Sequence, residues 1–232
     1  MLLLRVISRL LDYPSAQLFA AADELIAVVD ASDELSEEKR SGIRLFINDL
    51  VARDLYDAQE RYDLLFDRGR ALSLLLFEHV HGESRDRGQA MVELIKVYSS
   101  KGFDVDVSQL PDYIPLYLEF LSEQEVDYAQ EWLSDICHLL ATLSERLIQR
   151  DCDYAVLFDA LIEVSGSDVV RDGITDSVSK EERDDTMTAI DLEWEDKEVR
   201  FDEPVEGNCP GSGQNAGLGP FEQKIIRQVA VK

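Results

Sequence analysis

The segment Leu74-Leu75-Leu76-Phe77-Glu78-His79-Val80-His81-Gly82-Glu83 puts two of the chain's three histidines and two carboxylates within six residues. Such donors bind zinc or iron, and with Glu78 as a base they would suit a metal-dependent hydrolase. A metal site, however, needs three or four donors converging on one point. His79 and His81 stand at i, i+2, which a helix turns to different faces. Only a frayed helix end lets both reach one ion, and no third ligand has a recognisable spacing. Satisfied polar contacts or a partner surface is the simpler reading, and no metal is expected.

The run Glu83-Ser84-Arg85-Asp86-Arg87-Gly88, with Arg68 and Arg70 upstream, concentrates four arginines in an otherwise acidic chain. Arginine forks hold phosphate or carboxylate, so these four are candidate phosphate contacts. The alternative pairs them with Asp67, Glu78, Glu83 and Asp86 as loop-fixing ion pairs, a commonplace use of exposed charge. Gly69, Gly82 and Gly88 stand alone and no G-x-x-x-x-G-K occurs, which argues against nucleotide hydrolysis. Ser84 near His81 lacks the G-x-S-x-G turn of a nucleophile elbow. Cys137 and His138 fall on different sides of a helix, and Cys137, beside Ile136, reads as core. No catalytic constellation emerges, so an enzyme is not expected.

The elements that must position these residues are helices. Leu3, Ile7, Leu10 and Leu11 mark one helix face. Pro14 suits a first helical turn ahead of Leu18, Ala22, Leu25 and Val29, and Ile43, Phe46, Ile47 and Leu50 repeat the pattern. Further helices are expected from near Asp54 to Phe66, from Ala71 to Val80, and from Arg85 to Gly102, whose glycine suits a left-handed stop. Ser122 and Glu125 match an S-x-x-E capping box for a helix carrying Val126, Leu133, Ile136, Leu140, Leu143 and Leu147. A last core helix carries Leu157, Ala160, Leu161 and Val164 and stops at Gly166. Strand signals are weak throughout.

Residues 1–165 therefore read as one all-α helical-bundle domain, and 166–232 as a flexible acidic tail. Eight glycines and prolines between Pro204 and Pro220 make the chain disordered from about 204. Ile190, Leu192, Trp194 and Phe201 are too apolar for a purely solvated tail, so a stretch near 181–201 is expected to be partly ordered by docking on the helical domain.

Charge and compartment narrow the function. Twenty-three Lys+Arg against 48 Asp+Glu give a net charge of −25, which argues against general affinity for nucleic acid or anionic membranes and favours a cationic partner. No apolar run approaches the ~18 residues of a membrane span. Arg5 and Arg9 interrupt the apolar opening, no small-residue cleavage site follows, and three cysteines without C-x-x-C spacing fit a reducing cytoplasm. Tyr62, Leu65, Phe66, Phe77, Tyr113, Tyr117 and Phe120 form an aromatic and apolar inventory. Most of it reads as core, while several members could line a groove for a positively charged amphipathic peptide.

The stretches 61–70 (RYDLLFDRGR) and 73–91 (SLLLFEHVHGESRDRGQAM), with Ser8-Arg9-Leu10-Leu11, Leu110 to Glu119, Arg183-Asp184-Asp185-Thr186 and Trp194, closely resemble the NarJ family of respiratory nitrate reductase assembly chaperones. The wider TorD/DmsD superfamily carries Y-x-x-L-F, matched by Tyr62, Leu65 and Phe66, and E-P-x-D-H, matched only at Asp112. Tyr113 takes the histidine position, and Gln109 and Leu110 replace the Glu-Pro pair. The resemblance implies a TorD-like, all-helical cytoplasmic chaperone with no permanently bound cofactor. Its partner would be the N-terminal segment of the apo catalytic subunit, held ready for molybdenum cofactor insertion before membrane attachment. The client site it suggests comprises Tyr62, Leu65, Phe66, Phe77, Glu78, His79, His81, Asp112, Tyr113 and Tyr117. A direct molybdenum cofactor carrier, with the arginines on a pyrophosphate, is the alternative.

Overall fold

The computed structural model describes residues 1–81, 85–106 and 109–194. Among them the chain forms twelve helices and no strand. They are α1 Leu2–Leu11, α2 Ala16–Ala20, α3 Ala22–Asp30, α4 Glu37–Val51, α5 Leu55–Phe66, α6 Leu76–His81, α7 Arg85–Ser100, α8 Ile114–Ser122, α9 Val126–Gln149, α10 Ala155–Ser165, α11 Asp172–Val178 and α12 Met187–Trp194. The fold is all-α.

The apolar face of α1 is buried as its spacing predicts, with Leu4, Ile7 and Leu11 fully enclosed, and it packs mainly on α8. At that interface Ser8 Oγ donates to the Pro115 carbonyl at 2.6 Å, so the small hydroxyl is satisfied where a larger side chain would hold the helices apart. Arg5 and Arg9 face solvent and pair with Glu123 and Glu119. The 24-residue α9 is the central pillar. It forms the most extensive helix pair with α10 and is also flanked by α8 and α11, burying Trp132, Leu133, Leu140, Leu143 and Leu147.

The structure departs from the expected elements in four places. The helix expected through Leu18 and Val29 is broken at Ala21. Pro14 precedes it instead of occupying its first turn, and Ser15 is the cap, accepting from the Leu18 amide at 3.2 Å. The helix expected over 71–80 begins only at Leu76. Residues 74–76 instead exchange two backbone bonds with 112–114: the Leu76 amide donates to Asp112 O at 2.9 Å and the Ile114 amide to Leu74 O at 2.8 Å. Ser122 caps nothing. It ends α8 and donates to Glu119 O, while the α9 cap residue is Glu125, without a side-chain bond. Finally, α10 is not the last core helix, because Ile174 and Val178 of α11 are buried against α9. The two expected glycine stops are present, Gly102 at φ +77° and Gly166 at φ +67°. The tail from about 204, and Phe201, lie outside the described residues.

Candidate functional site

Helix α5 opens on Asp54, whose carboxylate accepts from the Tyr56 amide at 2.9 Å, and aims Tyr62 and Phe66 inward one turn apart. Tyr62 is buried. Its hydroxyl donates to Leu11 O at 3.0 Å and lies 3.0 Å from that of Tyr113, which in turn donates to Asp12 at 3.2 Å. Burial raises the phenol pKa of Tyr62, and of Tyr113, above the ordinary value, so this chain of hydroxyls stays protonated. The Tyr62 ring packs against Tyr13, Phe66 and Tyr154 at centroid distances of 4.8–6.5 Å. Arg61 pairs with Asp153 and lies over the Tyr154 ring.

Past Phe66 the chain leaves the helix in a loop, 67–75, held from several sides. The Ala71 carbonyl accepts from Arg146 Nη1 at 2.8 Å, and the Ala71 amide donates to Asp184 at 2.7 Å. His79 Nε2 lies 2.8 Å from Ser73 O, which can only accept, so the ring donates there. Burial lowers the His79 pKa, and the histidine is a neutral loop clamp. Asp112 is fully buried. Its Oδ2 accepts from the Phe77 amide at 3.1 Å and thereby caps α6 from outside, with Arg87 3.9 Å away. Arg87 also pairs with Glu78 at 3.2 Å.

Between this loop and the far end of the described chain lies an open groove of about 830 Å³. Phe66, Asp67, Arg68, Gly69, Arg70, Ser73 and Glu78 line it together with Met187 and Ile190 of α12. Of the residues singled out from the sequence, Phe66, Glu78, Arg68 and Arg70 thus meet in one place, with the His79 clamp behind them. Leu65 is half-buried on the same helix, and Arg87 reaches the groove only through Glu78.

Other candidates fall elsewhere. Phe77 and Tyr117 are fully enclosed, the latter donating to Trp132 O at 3.0 Å, so neither presents surface to a partner in this state. Asp112, Tyr62 and Tyr113 act beneath the groove, through hydrogen bonds. The aromatics divide into a cluster around Tyr62, Phe66 and Tyr154 that borders the groove, and a core cluster around Tyr98, Phe120 and Trp132. The side chains of His81 and Arg85, with Glu83 and Ser84, lie outside the described residues. Among the described residues no three His, Cys, Asp or Glu side chains group to hold a metal. No described helix is long and apolar enough to cross a membrane.

Sequence reasoning passed over Met187 and assigned no role to Asp184 or Gly69, although both stand in stretches that carry the family resemblance. The apolar content near Ile190 was the available signal, and Ile190 is half-buried and lines the groove together with Phe66.

Fold and groove together define an all-helical protein with an open groove lined by both apolar and charged side chains. Residues 30–160, more than half the chain, match the family model described as nitrate reductase delta subunit. The chain is 47% identical over 201 residues to the nitrate reductase molybdenum cofactor assembly chaperone NarJ of Escherichia coli (strain K12), covering 87% of this chain and 85% of that one. It is 41% identical over 228 residues to the probable chaperone of the same description, NarW, of that strain, covering 98% and 96%. A probable NarJ of Bacillus subtilis (strain 168) is 30% identical over 119 residues, covering 51% and 65%. This chain belongs to the NarJ family of nitrate reductase molybdenum cofactor assembly chaperones.

Proposed function

We propose that this protein assembles a respiratory nitrate reductase by binding the N-terminal segment of its apo catalytic subunit in the groove between Phe66 and Glu78. It would hold that segment in the cytoplasm until the molybdenum cofactor is in place, before membrane attachment. On this reading the protein is no enzyme and keeps no cofactor of its own. The observation that carries the proposal is the convergence of Phe66, Arg68, Arg70 and Glu78, all from the family-like stretch 61–91, on one groove of a chain whose relatives are named as assembly chaperones.

The chemistry suits an amphipathic helix. Phe66 offers an apolar seat, Asp67 and Glu78 offer acceptors to a basic client, and Arg68 and Arg70 repel misplaced positive charge and so help set register. The charge of −25 speeds encounter with a cationic segment. Because the client pays ordering entropy on binding, affinity stays moderate and cofactor-driven folding can compete the segment away.

A pull-down with apo and cofactor-loaded catalytic subunit tests this. Preferential capture of the apo form is expected, and equal capture of both would refute it. The second reading, direct cofactor carriage, is favoured by the presence of Arg68 and Arg70 in the same groove. It requires saturable binding of the isolated cofactor, lost in Arg68→Ala/Arg70→Ala.

A further inference from the structure

We propose that α12 is a tethered occupant of the client groove: in the free protein it lies across the site, and a client must displace it. The inference rests on the reading of the groove given above.

The segment before α12 is firmly anchored. Asp184 reaches into the 67–75 loop, where Oδ2 accepts from the Ala71 amide at 2.7 Å and Oδ1 from Arg150 Nη2 at 2.8 Å. Arg150 is itself buried, its side chain 7% exposed. Arg146 holds Glu181 through two bonds of 2.7 and 2.8 Å while its Nη1 donates to Ala71 O. Arg146 of α9 therefore holds both the groove loop and the tail, and Arg150, just past the end of α9, holds the tail at Asp184. The dock also explains Gly69, because a Cβ there would lie 2.4 Å from the Asp184 carboxylate. A side chain at 69 would force the Asp184 carboxylate to shift from its bonds.

Beyond the anchor the hold is slight. Met187 and Leu192 are 68% and 65% exposed, and eight residues make a helix too short to be stable alone. Anchored at one end and loose along its length, α12 has the mechanics of a flap. Its apolar residues Met187 and Ile190 stand at i and i+3, a spacing by which a helix presents anchors to a groove, and both line the space that Phe66 also lines. A client seated on Phe66 competes with Met187 and Ile190 for the same open space. Since only Asp185 and Thr186 separate latch from helix, the local concentration of α12 is of millimolar order or above, and weak docking suffices to occupy the site.

The test uses the full chain, a fluorescein-labelled peptide copying the N-terminal segment of the catalytic subunit, and anisotropy titration. Met187→Ser/Ile190→Ser removes the flap's anchors at exposed or half-exposed positions, and Asp184→Ala releases its latch. Thermal melts confirm that both remain folded. Both variants should bind about three- to ten-fold tighter than the natural chain, as expected when an occluded state is depopulated. Amide exchange across 187–192 of the natural chain should quicken when the peptide binds. Unchanged affinity would overturn the inference. So would weaker affinity together with slower exchange, which would make α12 a wall of the site. Absence of binding by every form would instead overturn the client-site reading, and this inference with it.

Discussion

Asp112 is the most exacting position at which to test the physical account of the groove. Its carboxylate is wholly buried, yet Oδ2 has one good partner, the Phe77 amide, and Oδ1 has none among the described residues. Arg87 at 3.9 Å is at the outer limit of an ion pair. Burial raises the Asp112 pKa, against the opposing pull of the Phe77 amide and Arg87. A carboxyl whose folded pKa exceeds its unfolded value binds more protons when folded. Its ionisation therefore costs stability, the cost growing as pH rises through the window between the two values and constant above it. Asn is nearly isosteric, keeps an acceptor for Phe77 and carries no charge. Asp112→Asn should consequently be as stable as the natural chain or more so at neutral pH, with that relative gain fading as pH falls to about 4. Asp112→Ala removes the cap altogether and strands the Phe77 amide, for a loss of about 1–3 kcal/mol. Because α6 carries Glu78 into the groove, the alanine variant should also weaken client binding, and the asparagine variant should not. Urea melts followed by helical circular dichroism at several pH values provide the measurement. If Asp112→Asn loses as much stability as Asp112→Ala, the ionised form is what the fold needs, and the account of a tolerated buried charge is refuted.

Three further outcomes are expected. Tyr62→Phe removes a buried hydroxyl from Leu11 O and Tyr113 but leaves the groove wall intact, so it should cost about 1 kcal/mol of stability with no change in peptide affinity; a large affinity loss in a folded variant would return Tyr62 to the client surface. Asp159 collects Lys39, Ser144 and Arg171 at 2.5–2.8 Å, and although burial opposes it, these bonds lower its pKa. Its stabilisation is then complete above the unfolded value and lost as pH falls through the folded one, so Asp159→Asn should be about 2 kcal/mol less stable at neutral pH, a gap that closes in strong acid; a pH-independent gap would contradict it. Stopped-flow association of a cationic client peptide should slow markedly with added salt while a residual affinity persists, and salt-independent rates would count against steering.

The helix pattern was largely legible in the sequence because burial enforces it: α1, α5, α9 and α10 carry apolar residues at helical spacing over enough turns to leave no strand alternative. What failed was punctuation. Ser122-x-x-Glu125 has the residues of a capping box, but Ser122 is still inside α8, whose closing turn claims its hydroxyl. Leu72 to Leu75 have the composition of a helix, but the Leu74 carbonyl is taken by the Ile114 amide, and the Ser73 and Leu75 amides bond to Arg70 O and Ser73 Oγ instead of forming a helical ladder. The candidate site was half legible. Phe66, Arg68, Arg70 and Glu78 are near in sequence and meet in space. Met187 and Asp184 lie more than a hundred residues downstream, and nothing in local spacing reports that Asp184 needs the empty Cβ position of Gly69.

The division of the aromatic residues also constrains how the groove can work. Phe66 belongs to both worlds: buried at 5% exposure, it packs on Tyr62 and Tyr154 at 4.8 and 5.2 Å and still lines the groove. Tyr62 is tied directly to Leu11 O and through Tyr113 to Asp12, and its buried ring, with that of Tyr154, backs Phe66 from the core side. Helix α12 has no such backing. The site thus combines a rigid seat with a yielding cover, and client affinity should be set by contact with the first minus the cost of moving the second. On the proposed function, that asymmetry would let one small protein grip an unfolded segment and later release it, with docking of α12 returning part of the binding energy as the client leaves.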